Sequence, residues 1–413
     1  MAERAAHLVD RVFPPVAVRQ WVLSLPHGIR YVLAWDHILC RAVVGVFMRA
    51  VLGFLRRRAR ERHDVANGRG GAVAMIQRFG AALNVNIHVH ALVVDGVYAE
   101  DGSGGLCFHP ATPPTDEEMD ELLDTIVRRI HRLLARRGVV DGGEHGPDRW
   151  AEEAPVLAGL ADASVQGRVA LGPRAGAETR RCGRSLELLS LSSPRRGPCH
   201  ASQDGFDLHA GVVVPGRDRA RLERVCRYAL RPPVAHERIR LTDQGQVLLE
   251  LRHRWADGTT HLLFDPVELL ERLAALTPRP RINLVLYYGV LAARSAWRSR
   301  LCDPEMAPGP RQTDAEPAVR PEAAAAAPRT SRGPSNLLWA QLMQRSFGFD
   351  VLACPRCGGR LRLIALIDEP GVIRRILGHL GVPTEVPTAR PSRAPPIPLD
   401  PVPDRAEDDI AAP

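Results

Sequence analysis

The sequence predicts a mixed α+β domain built on an antiparallel sheet, and three observations support this class. Four stretches rich in β-branched residues have the pattern of strands. Apolar stripes predict long helices between them, and the elements follow the order β-α-β-β-α-β with one further helix. This is the ferredoxin-like plan, in which helices pack on one face of the sheet and the third strand lies between the first and second. The predicted strands are residues 16–25, 71–79, 83–98 and 206–214, and the predicted helices are residues 29–62, 115–134 and 217–230.

The third strand carries the most informative pattern. Its odd positions, from Val85 to Val93, are apolar and predict a face turned to the core, whereas Asn84, Asn86, His88 and His90 occupy even positions. Alternate side chains on a strand lie about 6.5–7 Å apart on one face, so the two imidazoles can converge on one divalent ion. The strand then ends at Asp-Gly, residues 95–96, which is a strong hairpin signal.

The alternative for this pattern is two partly exposed histidines without a role. A continuous polar stripe opposite so apolar a face favours a metal site instead. The stripe contains no acid, so a bound cation would keep much of its positive charge. Such a cation suits polarisation of a phosphodiester.

Composition indicates an anionic partner. The 413 residues carry a net charge of +8, and all 55 basic residues are arginine. A GC-rich genome accounts for arginine in place of lysine, but the positive sign favours nucleic acid as the partner. Scattered cysteines and the lack of an apolar leader predict a reducing, cytoplasmic location without disulfides. Residues 33–55 form the longest apolar stretch; charges interrupt it, so it predicts a buried helix rather than a membrane span.

The helix after the fourth strand contains a candidate nucleophile. Tyr228 lies one turn before the end of this helix. Neighbouring positive charge stabilises both a phenolate and a nearby phosphate. A tyrosine that only packs on a basic helix is the alternative. The surrounding arginines are Arg217, Arg219, Arg221, Arg224, Arg227 and Arg231.

Residues 18–298 resemble a known family of mobile-element enzymes. The matching segments, in order, are VRQWVLSLP, GAVAMIQRFGAALNVNIHVHALVVDGVY, LERVCRYALRPPVAHERI, DGTTHLLFDPVELLERLAAL and YYGVLAARSAWR. They are similar to the transposases of rolling-circle insertion sequences, which are HUH-type single-strand DNA transposases. The resemblance implies an HUH endonuclease fold, a bacterial host and transposition of DNA.

The resemblance also implies roles for individual residues. The family's paired histidines fall on His88 and His90, and its catalytic tyrosine falls on Tyr228. These residues imply an endonuclease that uses Mg²⁺ or Mn²⁺ and acts on single-stranded DNA at the element ends. The tyrosine would keep the 5′ phosphate as a phosphotyrosine and release a 3′ hydroxyl.

Three departures from the family pattern leave alternatives open. Two-tyrosine members carry a second tyrosine where this chain has Arg224, so it resembles the single-tyrosine branch and predicts a second protomer, a homodimer. The family's N-terminal zinc segment has no counterpart before residue 1, which motivates a truncated DNA-binding remnant without activity as an alternative. Tyr287 and Tyr288 stand where relatives show Tyr-His-Gly, and they are the runner-up nucleophiles. A hydrolase of small phosphoesters is a weaker alternative.

The third metal ligand has several candidates. Both strands that flank the histidine strand offer an amide, Gln20 and Gln77. A hairpin that turns near Ala81 brings Gln77 close to Asn86, so Gln77 is favoured. His209 is a further candidate, although its strand is expected to lie one place away.

The second half of the sequence contains a possible zinc site and several further predicted domains. A CxxC pair, Cys354 and Cys357, supplies half of a tetrahedral structural Zn²⁺ site, with His379 and Cys302 as possible partners and a metal-free turn as the alternative. The predicted domains are the endonuclease core (1–240), a DNA-contacting hairpin and helix extension (241–302), a disordered linker (303–335), the small C-terminal module (336–383) and a disordered tail (384–413).

Overall fold

The structure is a computed structural model that describes residues 1–102, 104–139, 149–183, 197–278, 282–301, 339–354, 357–362, 367, 369–381 and 384. The described residues before 302, apart from 2–4, belong to one compact unit, and those from 339 to 384 belong to another.

The described elements follow each other in this order. The strands are β1 (Val18–Ser24), β2 (Gly71–Phe79), β3 (Val85–Val94), β4 (Gly96–Glu100), β5 (Leu106–Pro110), β6 (Arg180–Cys182), β7 (His200–Gln203), β8 (Phe206–Val214), β9 (Ile239–Leu241), β10 (Val247–Glu250), β11 (His261–Phe264) and β12 (Val285–Gly289). The helices are α1 (Ala2–Arg11), α2 (His27–Trp35), α3 (His37–His63), α4 (Asp116–Arg136), α5 (Arg149–Glu153), α6 (Pro155–Val165), α7 (Arg219–Ala229), α8 (Pro266–Leu276), α9 (Arg298–Leu301), α10 (Trp339–Phe347) and α11 (Pro370–His379).

A six-stranded antiparallel sheet forms the centre of the first unit, in the order β12-β2-β3-β1-β8-β7. The histidine strand β3 lies between β1 and β2, as predicted, and β8 lies on the other side of β1. The bounds of β2 and β8 coincide with the predicted stretches. The short strands β7 and β12 extend the sheet at its two edges. The first unit is therefore an α+β structure with an antiparallel sheet.

Helices α3 and α4 cover one face of this sheet. Val85, Ile87 and Val89 of β3 pack there in the main hydrophobic core. The pattern Thr115-x-x-Glu118 forms a capping box at the start of α4, since Thr115 Oγ1 accepts from Glu118 N and Glu118 Oε2 accepts from Thr115 N. The second predicted helix therefore begins where its sequence signal indicates.

The first predicted helix, residues 29–62, is wrong as a single element. Asp36 takes a non-helical conformation between α2 and α3, and its carboxylate accepts a hydrogen bond of 2.8 Å from Leu39 N. Because this side chain caps the start of α3, it ends α2 and begins a new helix.

Helix α3 contains most of the apolar stretch 33–55, which was predicted to be a buried helix. Among the described residues it is the one helix that is long and apolar enough to cross a membrane, a length that no stretch was expected to reach. Most of its apolar window is buried, with Phe47 and Val51 in the main core. Length and composition alone are thus weak support for a membrane span here.

The other face of the sheet was predicted to be open, and that prediction is wrong. Helices α1 and α7 cover it, and Leu8 and Leu222 pack against Leu92 of β3 in a second core. As a result His88 is only 1% exposed and His90 only 3%. The physical reason is that the even positions of β3 become apolar after His90. Apolar side chains on this face are stabilised when helices remove them from water.

The predicted hairpin at Asp95-Gly96 is also wrong, because β4 pairs with β5 and not with β3. Asp95 is buried, and Arg19 Nε and Nη2 donate to its two carboxylate oxygens at 2.9 and 2.8 Å. Arg19 Nη1 also donates to Ala210 O at 2.9 Å. This ion pair joins β1, β3 and β8 at one end of the sheet. Strands β4 and β5 form a hairpin around residues 101–105 instead.

We expect Asp95→Asn to lower the free energy of unfolding by about 3–5 kcal/mol, because it leaves a buried guanidinium without its counter-charge. Equilibrium unfolding in urea measures this loss. Asp124→Asn is the matched control, since it breaks an exposed pair with Arg128 at 2.8 Å and should cost about 1 kcal/mol at most. Equal losses in the two variants would contradict a stabilising role for the buried pair.

A second, four-stranded sheet has the order β6-β11-β10-β9. Its strands β10 and β11 pair as an antiparallel hairpin, and this is the hairpin predicted within residues 241–302. Arg238 lies just before β9 in a short 3-10 helix, and Arg252 lies just after β10.

The second unit contains the CxxC turn. Ala353 and Arg360 form an isolated β-bridge on either side of it. Cys354 O accepts from Gly358 N and Cys354 N donates to Gly359 O, each at 2.8 Å, so the backbone closes the turn. The structural zinc at Cys354 and Cys357 stays a prediction. Cys302, the linker 303–335 and the tail beyond residue 384 lie outside the described residues.

Candidate active site

The register of the main sheet brings the polar candidates into adjacent rows on one face. Gln77 of β2 lies opposite His88 of β3, and His88 lies opposite Ser24 of β1. Asp207 of β8 continues this row next to Ser24. His90 is in the next row. Because directly opposite residues share a face, these side chains form one polar band under α7.

His88 and His90 lie side by side, with ring centroids 5.0 Å apart. His88 Nδ1 lies 3.0 Å from Asn86 O. A carbonyl oxygen only accepts, so Nδ1 carries the proton in a neutral ring and the lone pair is on Nε2. Gln20 Nε2 lies 2.8 Å from His90 Nδ1 and donates to it, which puts the proton of a neutral His90 ring on Nε2. Rotation of the Gln20 amide by 180° would place its oxygen at Nδ1 and leave the lone pair on Nε2, as a metal ligand requires. Both Nε2 atoms are buried.

The amide of Gln77 forms hydrogen bonds through its nitrogen and not through its oxygen, within the described residues. Gln77 Nε2 donates to Tyr228 O and Ala229 O at 3.3 and 2.9 Å. Its Oε1 is buried without a hydrogen-bond partner in the described part of the chain, and so is Asn86 Oδ1. A buried acceptor left unsatisfied costs about 1–3 kcal/mol. A cation bound between the histidines and these amides would remove that cost.

These residues therefore fit a divalent metal ion. Amide oxygens are ligands that Mg²⁺ and Mn²⁺ prefer, whereas neutral imidazoles are ligands that later divalent metals such as Zn²⁺ prefer, so the set is mixed. Within the described residues, no group of three or more His, Cys, Asp or Glu side chains is arranged to hold a metal. The candidate set differs from such groups because amides complete it. Gln20, which touches His90 Nδ1, would orient a ligand instead of binding the ion.

Tyr228 lies beside His90 of the histidine pair. Its ring centroid is 5.7 Å from that of His90, with the two rings nearly perpendicular at 86°. The guanidinium carbon of Arg231 lies 4.4 Å from the Tyr228 centroid, and that of Arg252 lies 5.7 Å from it. The phenol thus lies between imidazoles and guanidinium groups.

Three features of the α7 sequence hold Tyr228 in this position: a helix cap, contacts of Arg219 with α1, and an apolar stripe. Asp218 caps its start and accepts from Arg221 N at 2.9 Å. Arg219 then donates to carbonyl oxygens at the end of α1, including Phe13 O at 2.8 Å. Cys226 faces the second core, where burial raises the pKa of its thiol to about 12. An apolar stripe therefore holds α7 on the sheet and leaves Tyr228 beside the histidines.

Comparison with known families decides the class of this protein. Residues 71–298 match a protein-family model described as "Putative transposase". The match covers more than half of the chain. The chain belongs to this transposase family. No curated protein and no solved structure matches the chain. The matched span includes both histidines and Tyr228 of the transposase.

The runner-up tyrosines of the transposase lie on the edge strand β12. Tyr287 pairs with Val73, which in turn pairs with Leu92, so Tyr287 shares the histidine face. Tyr288 points to the opposite face, where it packs against the main core. Burial raises the pKa of the Tyr288 hydroxyl, which disfavours its phenolate. Tyr287 is therefore the rival with the better position.

His209, the other ligand candidate, lies further from the histidine pair. Its strand β8 is separated from β3 by β1, as predicted. Its ring lies 6.2 Å from His200, and His200 Nε2 lies 2.5 Å from Asp207 Oδ2. Burial, and then the nearby His200, lower the pKa of His209. This second cluster was not predicted, because its members come from β7 and β8.

Arg238 and Arg252 were also missed as site residues. The arginines of α7 could be selected by their closeness to Tyr228 in sequence. Arg238 and Arg252 lie in segments that flank strands of the second sheet, and only the tertiary packing brings Arg252 within 5.7 Å of the Tyr228 ring. In a chain with 55 basic residues, all of them arginine, no sequence signal separates these two from the others.

Proposed function

We propose that the transposase nicks single-stranded DNA and transfers the strand through a covalent 5′-phosphotyrosine at Tyr228. The observation that carries this proposal is the position of the Tyr228 ring, 5.7 Å from the His90 ring of the histidine pair. His88, His90 and Gln77 would hold a Mg²⁺ or Mn²⁺ ion. The ferredoxin-like HUH assignment belongs to the same proposal, and the strand order β2-β3-β1-β8 supports it.

The proposed reaction is an in-line displacement at phosphorus. The phenolic oxygen of Tyr228 forms the new bond to phosphorus, and the bond to the 3′ oxygen breaks. The phenol loses one proton and the 3′ oxygen gains one, so the reaction is balanced. A bound divalent ion would polarise a phosphoryl oxygen and offset developing negative charge. Gln20 would fix the ring of His90, while Gln77 anchors the end of α7 through two backbone carbonyls.

The partner in this proposal is single-stranded DNA at the element ends. Binding dominated by phosphate contacts weakens as salt increases. With Arg224 in place of a second tyrosine, one protomer holds a single 5′ end at a time. A second protomer would supply the other nucleophile, so a homodimer is part of the proposal.

A covalent-capture assay tests the proposal. The full chain is incubated with Mn²⁺ and a random pool of single-stranded oligonucleotides labelled at the 3′ end. Because the 5′ phosphate stays on the tyrosine, only a 3′ label moves to the protein in a denaturing gel. We expect an adduct that EDTA abolishes. Retained strand binding without any adduct would overturn the proposal in favour of an inactive DNA-binding remnant.

We expect Gln77→Leu to weaken Mn²⁺ binding by about tenfold or more, because it removes the amide oxygen assigned to the ion while it keeps the side-chain volume. Calorimetric titration with Mn²⁺ measures this change. Gln166→Leu is the matched control, since Gln166 is bonded to Asp162 on α6, outside the site. Unchanged Mn²⁺ affinity in Gln77→Leu would remove Gln77 from the ligand set.

A further inference from the structure

We infer that Arg231, Arg238 and Arg252 build a phosphate-binding site beside Tyr228. This inference rests on the proposed function, and it names the group that binds the attacked phosphodiester on the side away from the histidines. The three side chains come from the end of α7, the 3-10 helix before β9 and the loop after β10. Arg231 and Arg238 lie in the same family-like segment as Tyr228, whereas Arg252 lies outside the segments that resemble the family.

The guanidinium groups are close enough to act together. Arg231 and Arg252 both approach the ring of Tyr228, at 4.4 and 5.7 Å. Burial is the main cause that lowers the pKa of Arg238, and the positive charges of Arg252 and then Arg231 lower it further. Arg238 is therefore an electrostatic neighbour of Arg231 and Arg252, the two arginines that approach the phenol ring.

One atom of this cluster lacks the partner that a buried donor needs. Arg238 Nε donates to Glu250 O at 2.7 Å. Its Nη2 is buried without a hydrogen-bond partner among the described residues. An unsatisfied buried donor on a charged group is costly. An anion that occupies the cluster would remove both this cost and the repulsion between the arginines.

Two acidic residues near the cluster, Glu250 and Glu223, form ion pairs with other arginines. Glu250, the acid that raises the pKa of Arg238, has its carboxylate 3.8 Å from the exposed Arg240. Glu223 on α7 accepts from Arg227 at 2.6 Å. Each of these two carboxylates therefore has an arginine outside the cluster as a partner.

A phosphodiester fits this site better than a carboxylate does. Arginine binds phosphate oxygens through two parallel N–H groups, and several arginines together match a tetrahedral anion. The face of Tyr228 is itself in contact with a guanidinium, which positions the charge close to the oxygen that attacks. Fixed donors that meet developing negative charge stabilise a transition state by electrostatic preorganisation. The second sheet would thus contribute two guanidinium groups to the reaction.

Inorganic phosphate is a direct probe of the site, because it needs neither DNA nor a metal. We expect phosphate to raise the thermal midpoint of the full chain more than NaCl of equal ionic strength does. This excess should disappear in Arg238→Gln. It should persist in Arg240→Gln, which removes the same charge from an exposed side chain two residues away. An excess that survives in Arg238→Gln, or that is absent from the wild-type chain, would overturn the inference.

The covalent-capture assay separates this inference from the proposed function. We expect Arg238→Gln to slow adduct formation by about 10²–10³-fold, as loss of one oxyanion donor does, and Arg240→Gln to leave it unchanged. A normal adduct rate in Arg238→Gln would overturn the catalytic role of the cluster while the nuclease proposal stands. A wild-type chain that shows the Arg238-dependent phosphate effect but forms no adduct would support the anion site and overturn the nuclease.

Discussion

Tyr228→Phe is expected to abolish the covalent protein–DNA adduct completely, because phenylalanine lacks the oxygen that bonds to phosphorus. The ring itself is kept, and with it the contacts to His90 and Arg231. The variant should therefore fold, and it should bind single-stranded DNA about as well as the wild-type chain. The 3′-labelled capture assay measures the adduct, and fluorescence anisotropy with the same oligonucleotides measures binding.

Matched tyrosine variants identify the nucleophile. Tyr287→Phe removes a hydroxyl from the same face of the sheet, and Tyr288→Phe removes one from the opposite face. Both should keep the adduct. If Tyr228→Phe retains a wild-type adduct, the nucleophile is elsewhere, and the variant of Tyr287 or Tyr288 that loses the adduct identifies it.

The second large effect is expected for His88→Ala. This variant removes an Nε2 lone pair assigned to the metal, and we expect metal-dependent adduct formation to fall by about a thousandfold. That ratio equals about 4 kcal/mol of transition-state stabilisation, within the several kcal/mol that a bound cation supplies. Single-turnover rates measured across a range of Mn²⁺ concentrations determine the loss. Metal affinity should fall in the same variant, as a separate titration measures.

His200→Ala is the control for this experiment. His200 lies on the same sheet at the edge strand β7, where it bonds to Asp207 instead of facing Tyr228. We expect little change in Mn²⁺ affinity or adduct rate. Because His88 is buried, retained single-strand binding serves as the check that His88→Ala is folded. A folded His88→Ala protein with a wild-type Mn²⁺ response would exclude the histidine pair as the metal site.

Local sequence patterns predicted much of the sheet. The alternation in β3 put His88 and His90 on one face, and the structure places their rings 5.0 Å apart on that face. The prediction succeeds because alternation depends only on residues two apart along one strand. The start of α4 was predicted for a similar reason, since both partners of its capping box lie within one helical turn.

The predictions were wrong where a contact with a residue distant in sequence determines the local structure. Asp95 precedes a glycine and has the form of a hairpin turn, yet Arg19 binds it in the interior. Similarly, the polar face of β3 was expected to be open. Helix α1 was not predicted, and the apolar pattern of α7 did not show which face of the sheet that helix covers. In both cases contacts between distant segments outweighed the local preference.

The sequence by itself determined the α+β class, the bounds of β2 and β8, and the pairing of two histidines with a tyrosine as candidate chemistry. Only the tertiary structure decided that Tyr228 lies beside His90, that Gln77 lies directly opposite His88, and that Arg252 reaches the phenol ring. The physical reason is that the periodicity of a strand or helix depends only on residues that are close together in sequence. The meeting of β3 with α7 and the second sheet depends instead on which apolar surfaces bury each other across long stretches of chain.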